Sequence, residues 1–368
     1  MLDINVIREN PEKVKEALKK KLWDTDFTEL LQWDKQRKEL IQEVEGNKAE
    51  MNQLSASVPA AKKAGEDVSK IFAKVKEIAA KNQQKDQELK ELETKIFNFL
   101  AELPNIPDDD LVGGGKENNK VIRVFGKKPE FDFPMKDHVE LATSLGLVDY
   151  DRAAKIAGRG AWIYTGLGAQ LEFALLQYFI NTHLRDGYTF ILPPHLLNEQ
   201  SGFGAGQFPK FREDVFWLEG LEPKRFLLLT AETALVNIYR DEILKEEDLP
   251  KKFFAYTPCY RREAGSYRTE ERGMIRGYQF DKVEMVQYTK PEDSDAAFEE
   301  LVKKAEELVA GLGLHYQVSK LAAGDISHSM ARTYDIEVYI PSIGIYTSIS
   351  YVLAIEWEIS PAANLDTW

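Results

Sequence analysis

The stretch CYRREAGSYRTEERGMIRGYQFDKVE, residues 259 to 284, carries five arginines and four glutamates between two segments that alternate like strands, Phe254 to Tyr260 and Tyr278 to Val286. So many charges in a short span mark a solvated loop, whereas the flanks require a buried sheet. Both conditions hold if the stretch is a hairpin with a charged mouth and a charged connection. Arg261, Arg262 and Glu263 end the outgoing strand, and Glu284 sits on the return. Arginine grips phosphate oxygens bidentately and keeps its charge at every ordinary pH. The connection, about 14 residues with Arg268, Arg272, Gly265, Gly273 and Gly277, is long enough to close over a ligand. The same residues also fit a plain solvated hairpin, in which each Arg–Glu pair is worth about 0–1 kcal/mol.

Upstream, apolar residues recur at spacings of three and four: Leu30, Trp33, Leu40, Val44, Met51, Leu54 and Val58, with Arg37 and Asn47 in the two polar slots. A second series runs Val68, Ile71, Val75, Ile78, Leu89, Leu92, Ile96, Phe99 and Leu103, interrupted by Asn82 and Lys85. Two seams of this period predict an antiparallel coiled-coil hairpin, its register fixed by the polar residues in the seam. PAAKKAGED (59–67) supplies the turn between them. Each arm of roughly 30 residues reaches about 45 Å. Such a hairpin can be a dimerisation element, a spacer or a projecting arm.

The linker PNIPDDDLVGGGKENNK (104–120) divides the chain. Beyond it, strands are expected at 121–125, 186–194, 226–229, 253–260, 278–288, 334–341 and 343–353. Helices are expected at 136–145, 171–185, 230–244 and 291–312. Short connections between neighbouring strands predict an antiparallel sheet with helices on one face, an α+β fold.

A net charge of −13 argues against a protein that coats nucleic acid indiscriminately, but leaves room for a local basic patch. No apolar run approaches the roughly 20 residues that span a bilayer, and MLDINVIRENPEK has no signal-peptide character. The single cysteine, Cys259, excludes an intrachain disulfide framework and a cysteine-cluster zinc site. These features predict a cytoplasmic protein without a membrane partner. The five histidines are scattered and read as surface or core residues, and no glycine-rich phosphate loop occurs.

The opening stretch resembles motif 2 of the seryl-tRNA synthetases, roughly C-F/Y-R-x-E-A-G-S, a loop of fixed length, then H-Q-F-x-K-V-E. MLDINVIRENPEKVKEAL, the hairpin, LPNIPDDD, the segment from Phe131 to Leu197, GQFPKFREDVF and LLLTAETALVNIYRDEIL resemble the family's segments in the same order, over residues 1 to about 346. The resemblance implies a tRNA-binding helical arm over 1–108 and a class II catalytic domain over 109–368. It further implies a homodimer formed through motif 1. The implied reaction is ATP-dependent activation of serine to seryl-adenylate and transfer to tRNA(Ser). Thr230, Ala231 and Glu232 match the family's T-A-E serine motif, and Arg261 and Glu284 match serine contacts. Arg261, Arg262, Glu263 and Arg272 fall in the ATP-binding segment. Lys62 and Lys63, at the hairpin tip, are expected on the tRNA backbone.

The chain also departs from the family. Gly277-Tyr278 replaces a histidine-bearing pair, and Arg268-Thr269-Glu270-Glu271 replaces a G-R-D-T-like run. Ser348 stands where the family has the glutamate that holds catalytic Mg2+, Tyr351 replaces a serine, and Pro361-Ala362 replaces an arginine pair. Motif 3 has no counterpart before Trp368, which predicts a catalytic domain incomplete at its C-terminus. The resulting expectation is a chain of weak or no activity with an impaired magnesium site. The alternative is a non-catalytic synthetase paralogue acting as an RNA-binding or regulatory module. A carrier-protein ligase on the same fold is disfavoured by the long hairpin, and a purely structural coiled coil by the T-A-E and R-R-E spacing.

Overall fold

The computed structural model describes residues 1–65, 67–263 and 273–354, Leu353 by its backbone alone. These residues form two compact units, one of Met1–Leu18 with Trp23–Leu103, the other of Lys19–Leu22 with residues 104 to 354.

In the first unit Asp3 caps α1 (Ile4–Glu9) by accepting from the backbone of Asn5, and Pro11 opens α2 (Pro11–Lys20). The two seams form α3 (Thr28–Lys63) and α4 (Ser69–Glu102), of 36 and 34 residues. Leu30, Val44, Ile78, Leu92, Ile96 and Leu100 of these helices are buried. The seam asparagines meet as expected, Asn47 Nδ2 donating to Asn82 Oδ1 at 2.7 Å, and Lys85 pairs with Glu43. At the base, buried Asp34 accepts from Arg8 and Arg37, both at 2.7 Å. The turn is later than expected, because α3 runs through Pro59 to Lys63. The carbonyl that Pro59 leaves unpaired belongs to exposed Ser55, where solvent can serve it, and the alanines and lysines that follow are good helix formers.

The second unit begins with β1 (Lys120–Phe125), α5 (His138–Ser144), β2 (Val148–Asp149), α6 (Tyr150–Ala157) and β3 (Ile163–Tyr164). Then come α7 (Leu167–Arg185), β4 (Thr189–Ile191), β5 (Leu196–Asn198), α8 (Glu199–Gly204), β6 (Trp217–Leu218), β7 (Arg225–Leu227) and α9 (Glu232–Leu235). The last elements are β8 (Lys251–Tyr260), β9 (Gln279–Tyr288), α10 (Ser294–Gly311), β10 (Tyr316–Lys320), β11 (Arg332–Ile340) and β12 (Ile345–Ala354).

Strands β1-β10-β11-β12 make an antiparallel sheet. Helix α10 covers it through Phe298, Val302, Ala305 and Val309, packed with Val318, Tyr334, Ile336 and Val352. A second sheet has the order β4-β8-β9, with β8 and β9 antiparallel and β4 parallel to β8. A third, β5-β7-β6, closes over Phe208, Val215 and Phe226. The helix expected over 230–244 is cut to α9. Asn237 donates its side-chain amide to Ser201 O and Thr233 O, and Asp241 takes a left-handed φ of 66°, which no helix continues. Among the described residues no helix is long and apolar enough to cross a membrane.

Candidate active site

The sequence FFAYTPCY gives β8 two unlike faces. Phe254 is fully buried and stacks on Phe190 at 4.7 Å, while the opposite face, beyond Phe253, narrows to Ala255, Thr257 and Cys259. Their partners across the hairpin are Glu284, Lys282 and Phe280 of β9. The small side chains leave room for the segment after β7. Ala231 and Leu235 pack there on Ala255, with Ile191, Ile238 and Val286 around them. Tyr260 N–H donates to Leu228 O at 2.9 Å and pins that segment beside the end of β8. Pro258, which has no N–H to give, lies past the three residues of β8 that pair with β4.

Packing of this segment carries Thr230 and Glu232 onto Glu284. The Thr230 hydroxyl donates to Glu284 Oε2 at 2.5 Å, and the Glu232 N–H donates to the same oxygen at 2.9 Å. Lys282 bridges the group, its Nζ donating to Thr230 Oγ1 at 2.9 Å and to Glu284 Oε1 at 2.7 Å. Ala231 is fully buried and serves as packing. Glu232 is only 7% exposed, and its Oε1 has no hydrogen-bond partner among the described residues.

These surroundings split the two carboxyls. Burial pushes Glu232 up to about 7, the charge of Glu284 adding to the effect against the pull of Lys282 and Arg261. Burial acts on Glu284 in the same sense. It is outweighed there by the Lys282 charge and by hydrogen bonds from Lys282, Thr230 and the Glu232 backbone, which hold Glu284 below its usual value.

Arg261 joins the group from the end of β8. Its N–H donates to Tyr278 O at 2.9 Å and its Nε to Leu229 O at 3.2 Å, and its guanidinium lies 5.1 Å from the Phe280 ring. Arg262 is exposed and turns elsewhere, with its N–H on Asp214 O at 2.8 Å and Nη1 on Glu213 O at 3.2 Å. Glu263 has a left-handed φ of 50° and accepts from Arg276 Nε at 2.6 Å. Arg272, with Arg268 and Gly265, lies outside the described residues, as does Pro361-Ala362. Tyr278, which departs from the expected histidine, donates its hydroxyl to Ala157 O at 2.9 Å. Lys62 and Lys63 end α3, both exposed.

The structure thus brings Thr230, Glu232, Arg261 and Glu284 together and directs Arg262 and Glu263 to other partners. Lys282 was passed over by the sequence reading, although the period of two from Phe280 to Glu284 places it on the same strand face. Arg276 was passed over too.

Ser348 lies on β12, and its hydroxyl donates to Asp335 Oδ1 at 2.6 Å. Burial pushes Asp335 up to about 7. Nearby, Glu337 accepts from Ser319 Oγ at 2.6 Å and Gln317 Nε2 at 2.8 Å. A Ser348 hydroxyl engaged by a buried carboxyl, beside a second carboxylate already hydrogen-bonded, is a poor fit to a divalent cation, which needs several free oxygens. Among the described residues no group of three or more histidine, cysteine, aspartate or glutamate side chains is arranged to hold a metal ion.

Comparisons with known proteins show which families the chain resembles. Residues 1–107 match the family model described as the seryl-tRNA synthetase N-terminal domain. Residues 216–366 match that of the tRNA synthetase class II core domain (G, H, P, S and T). The chain is 59% identical over 355 residues to serine--tRNA ligase 2 of Clostridium acetobutylicum, covering 95% of this chain and 83% of that one. It is 43% identical to the serine--tRNA ligase of Thermodesulfovibrio yellowstonii at the same coverages. Among solved structures it resembles the seryl-tRNA synthetase from Pyrococcus horikoshii complexed with ATP. There the TM-score is 0.85 and the identity 30%, over 95% of this chain and 83% of that one.

Proposed function

The chain belongs to the seryl-tRNA synthetase family of aminoacyl-tRNA ligases, and from that premise we propose that the cluster around Glu284 binds serine for activation by ATP. Residues 109–368 form the catalytic domain and residues 1–108 the tRNA-binding arm. The serine carboxylate attacks the α-phosphorus of ATP, pyrophosphate leaves, and the seryl group then passes to tRNA(Ser). Glu232 and Glu284 receive the ammonium and hydroxyl of serine, with Thr230 and Ala231 shaping their setting. Arg261 spans the serine carboxylate and the α-phosphate, where its guanidinium stabilises charge spreading in the transition state. Arg262, Glu263 and Arg272 form the remainder of the ATP segment. The ATP held by the Pyrococcus horikoshii relative supports the choice of nucleotide.

The observation that carries the reading is the buried Glu232 Oε1, without a partner among the described residues, beside a Glu284 that three donors hold in place. A site that expects to hydrogen-bond a substrate hydroxyl rejects the analogue lacking it strongly, so alanine is excluded.

The same reading makes adenylate formation weak, because Ser348 gives its hydroxyl to Asp335 and offers no carboxylate to the magnesium ion that accompanies ATP. The exposed residues Leu167, Leu171 and Phe173 on and beside one stretch of α7 support a homodimer built through that helix. Exposed Lys62 and Lys63 support contact with the tRNA backbone. The absence of a membrane-crossing helix among the described residues is consistent with a cytoplasmic place.

ATP–pyrophosphate exchange tests the reading. Slow, serine-dependent exchange that rises in Ser348→Glu supports it. Exchange at ordinary synthetase rates, unaltered by that substitution, contradicts the weak-activity reading. Tight tRNA(Ser) retention on a filter with no exchange in either protein favours the second reading, a non-catalytic RNA-binding paralogue, for which Ser348 is the supporting observation.

A further inference from the structure

Two carboxyl groups and one ammonium of the chain already share the proposed serine site, yet their partners are unequally divided. Glu284 holds three donors: Thr230 Oγ1 and the Glu232 N–H on Oε2, and Lys282 Nζ on Oε1. The Thr230 hydroxyl is occupied as well, donating to Glu284 and accepting from Lys282. Glu232 Oε1, which is buried, has none among the described residues.

We propose that Lys282 is a positioning residue: by sitting between Thr230 and Glu284 it fixes Glu284 as the charged hub of the site and reserves Glu232 for the ammonium of the amino acid. The proposal rests on the serine-site reading above and goes beyond it by assigning different tasks to the two carboxyls. Glu284 keeps one Oε1 lone pair open for the substrate hydroxyl, while Glu232 is the carboxyl that titrates as substrate arrives.

The groups facing Glu232 are Glu284 and Lys282 from β9 and Arg261 from the end of β8. Cys259 lies below them on β8, and Thr230 and Thr233 lie on its own segment. Burial and the Glu284 charge favour the neutral acid, pushing it up to about 7. An ammonium brings the opposite charge and favours the carboxylate. The step is therefore an exchange: the Glu232 O–H bond breaks, its proton leaves to solvent, and the carboxylate receives an N–H donor of the substrate. Serine affinity then rises with pH through the Glu232 titration and levels above it, gaining about tenfold between pH 6 and pH 8.

Calorimetric titration of the full chain with L-serine, run from pH 6 to 8.5 in paired buffers of different ionisation heat, counts the protons released. The expected result is close to one proton at pH 6, falling toward zero by pH 8.5. In Lys282→Met the hub loses its counter-ion and two adjacent carboxyls compete for protons, so the midpoint moves up by about one pH unit or more. Lys282→Arg keeps the original midpoint. A merely structural lysine would lower affinity without moving the midpoint. Serine binding without proton release, or release that persists in Glu232→Gln, overturns this assignment while sparing the serine site, and decides the matter even if Lys282→Met fails to fold. Absence of serine binding at every pH overturns the serine-site reading and the assignment with it.

Discussion

Glu232→Gln isolates one buried titration, and its effect on stability can be worked from the surroundings of the carboxyl. The group titrates near 4.5 in an unfolded chain and is pushed up to about 7 in the folded one, chiefly by burial. Between those values the folded protein binds the extra proton, so stability falls as pH rises. The difference, about 7 minus 4.5, is about 2.5 units. At about 1.4 kcal/mol per unit this makes a loss of about 3–4 kcal/mol, complete by roughly pH 8. Relaxation around the ionised group makes that an upper value. Glutamine cannot ionise, so the variant lacks this slope. Its unpaired amide adds a constant cost of about 1–3 kcal/mol, which does not depend on pH. Asp335, also pushed up to about 7, slopes in the same sense but is present in both proteins and cancels in the difference. Urea unfolding of both proteins at half-unit steps from pH 5 to 8.5 is the assay, with the transition of the catalytic unit followed separately because two units need not unfold together. The account expects the variant to gain on the parent by about 2–3 kcal/mol across that range. Parallel curves would show that Glu232 is already ionised or solvated, and would remove the basis for reserving it for an ammonium.

Arg261→Lys should weaken ATP binding by about 10- to 100-fold in calorimetry, since an ammonium cannot reproduce the bidentate guanidinium; an unchanged affinity would take Arg261 out of the ATP segment. Asp34→Ala leaves Arg8 and Arg37 without their shared carboxylate and should cost about 2–4 kcal/mol in the arm, visible as an earlier loss of helical circular dichroism. Replacing both Asn47 and Asn82 by leucine should stabilise the arm by about 1–2 kcal/mol, whereas Asn82→Leu alone strands Asn47 and should not. Ser348→Glu sets a third carboxylate beside Asp335 and Glu337. Its melting temperature should fall in chelator and recover with millimolar magnesium, while the parent shows no such response.

The seams of the arm were legible because burial there follows a period that side-chain chemistry writes directly into the sequence. Asn47 and Asn82 interrupt that period and meet each other. The end of α3 was less legible. Pro59 signals a break locally, but a helix tolerates it where the orphaned carbonyl is exposed. The region 230–244 misled for a tertiary reason. Its helical pattern competes with the Asn237 bonds to Ser201 and Thr233, which a one-dimensional reading does not show. At the site, the charged hairpin announced Arg261 and Glu284, and Glu232 was reached only through the resemblance of Thr230-Ala231-Glu232 to the family's motif. The unequal sharing of partners between the two glutamates is set by the register of β9 on β8 and by the small residues Ala255, Thr257 and Cys259. Lys282 was visible as a charge on a strand face, but its role emerges only when Thr230 is folded against it.

The central claim is that Thr230, Glu232, Arg261 and Glu284 form a cradle for an activated serine. Affinity for a non-hydrolysable seryl-adenylate mimic with a sulfamoyl linkage tests it most directly, because binding of the mimic involves neither bond making nor the region around Ser348. The account predicts saturable binding, at least about 100-fold tighter for the seryl than for the alanyl compound and lost in Glu232→Gln. Equal affinity for the two compounds, or seryl binding untouched by that substitution, would contradict it.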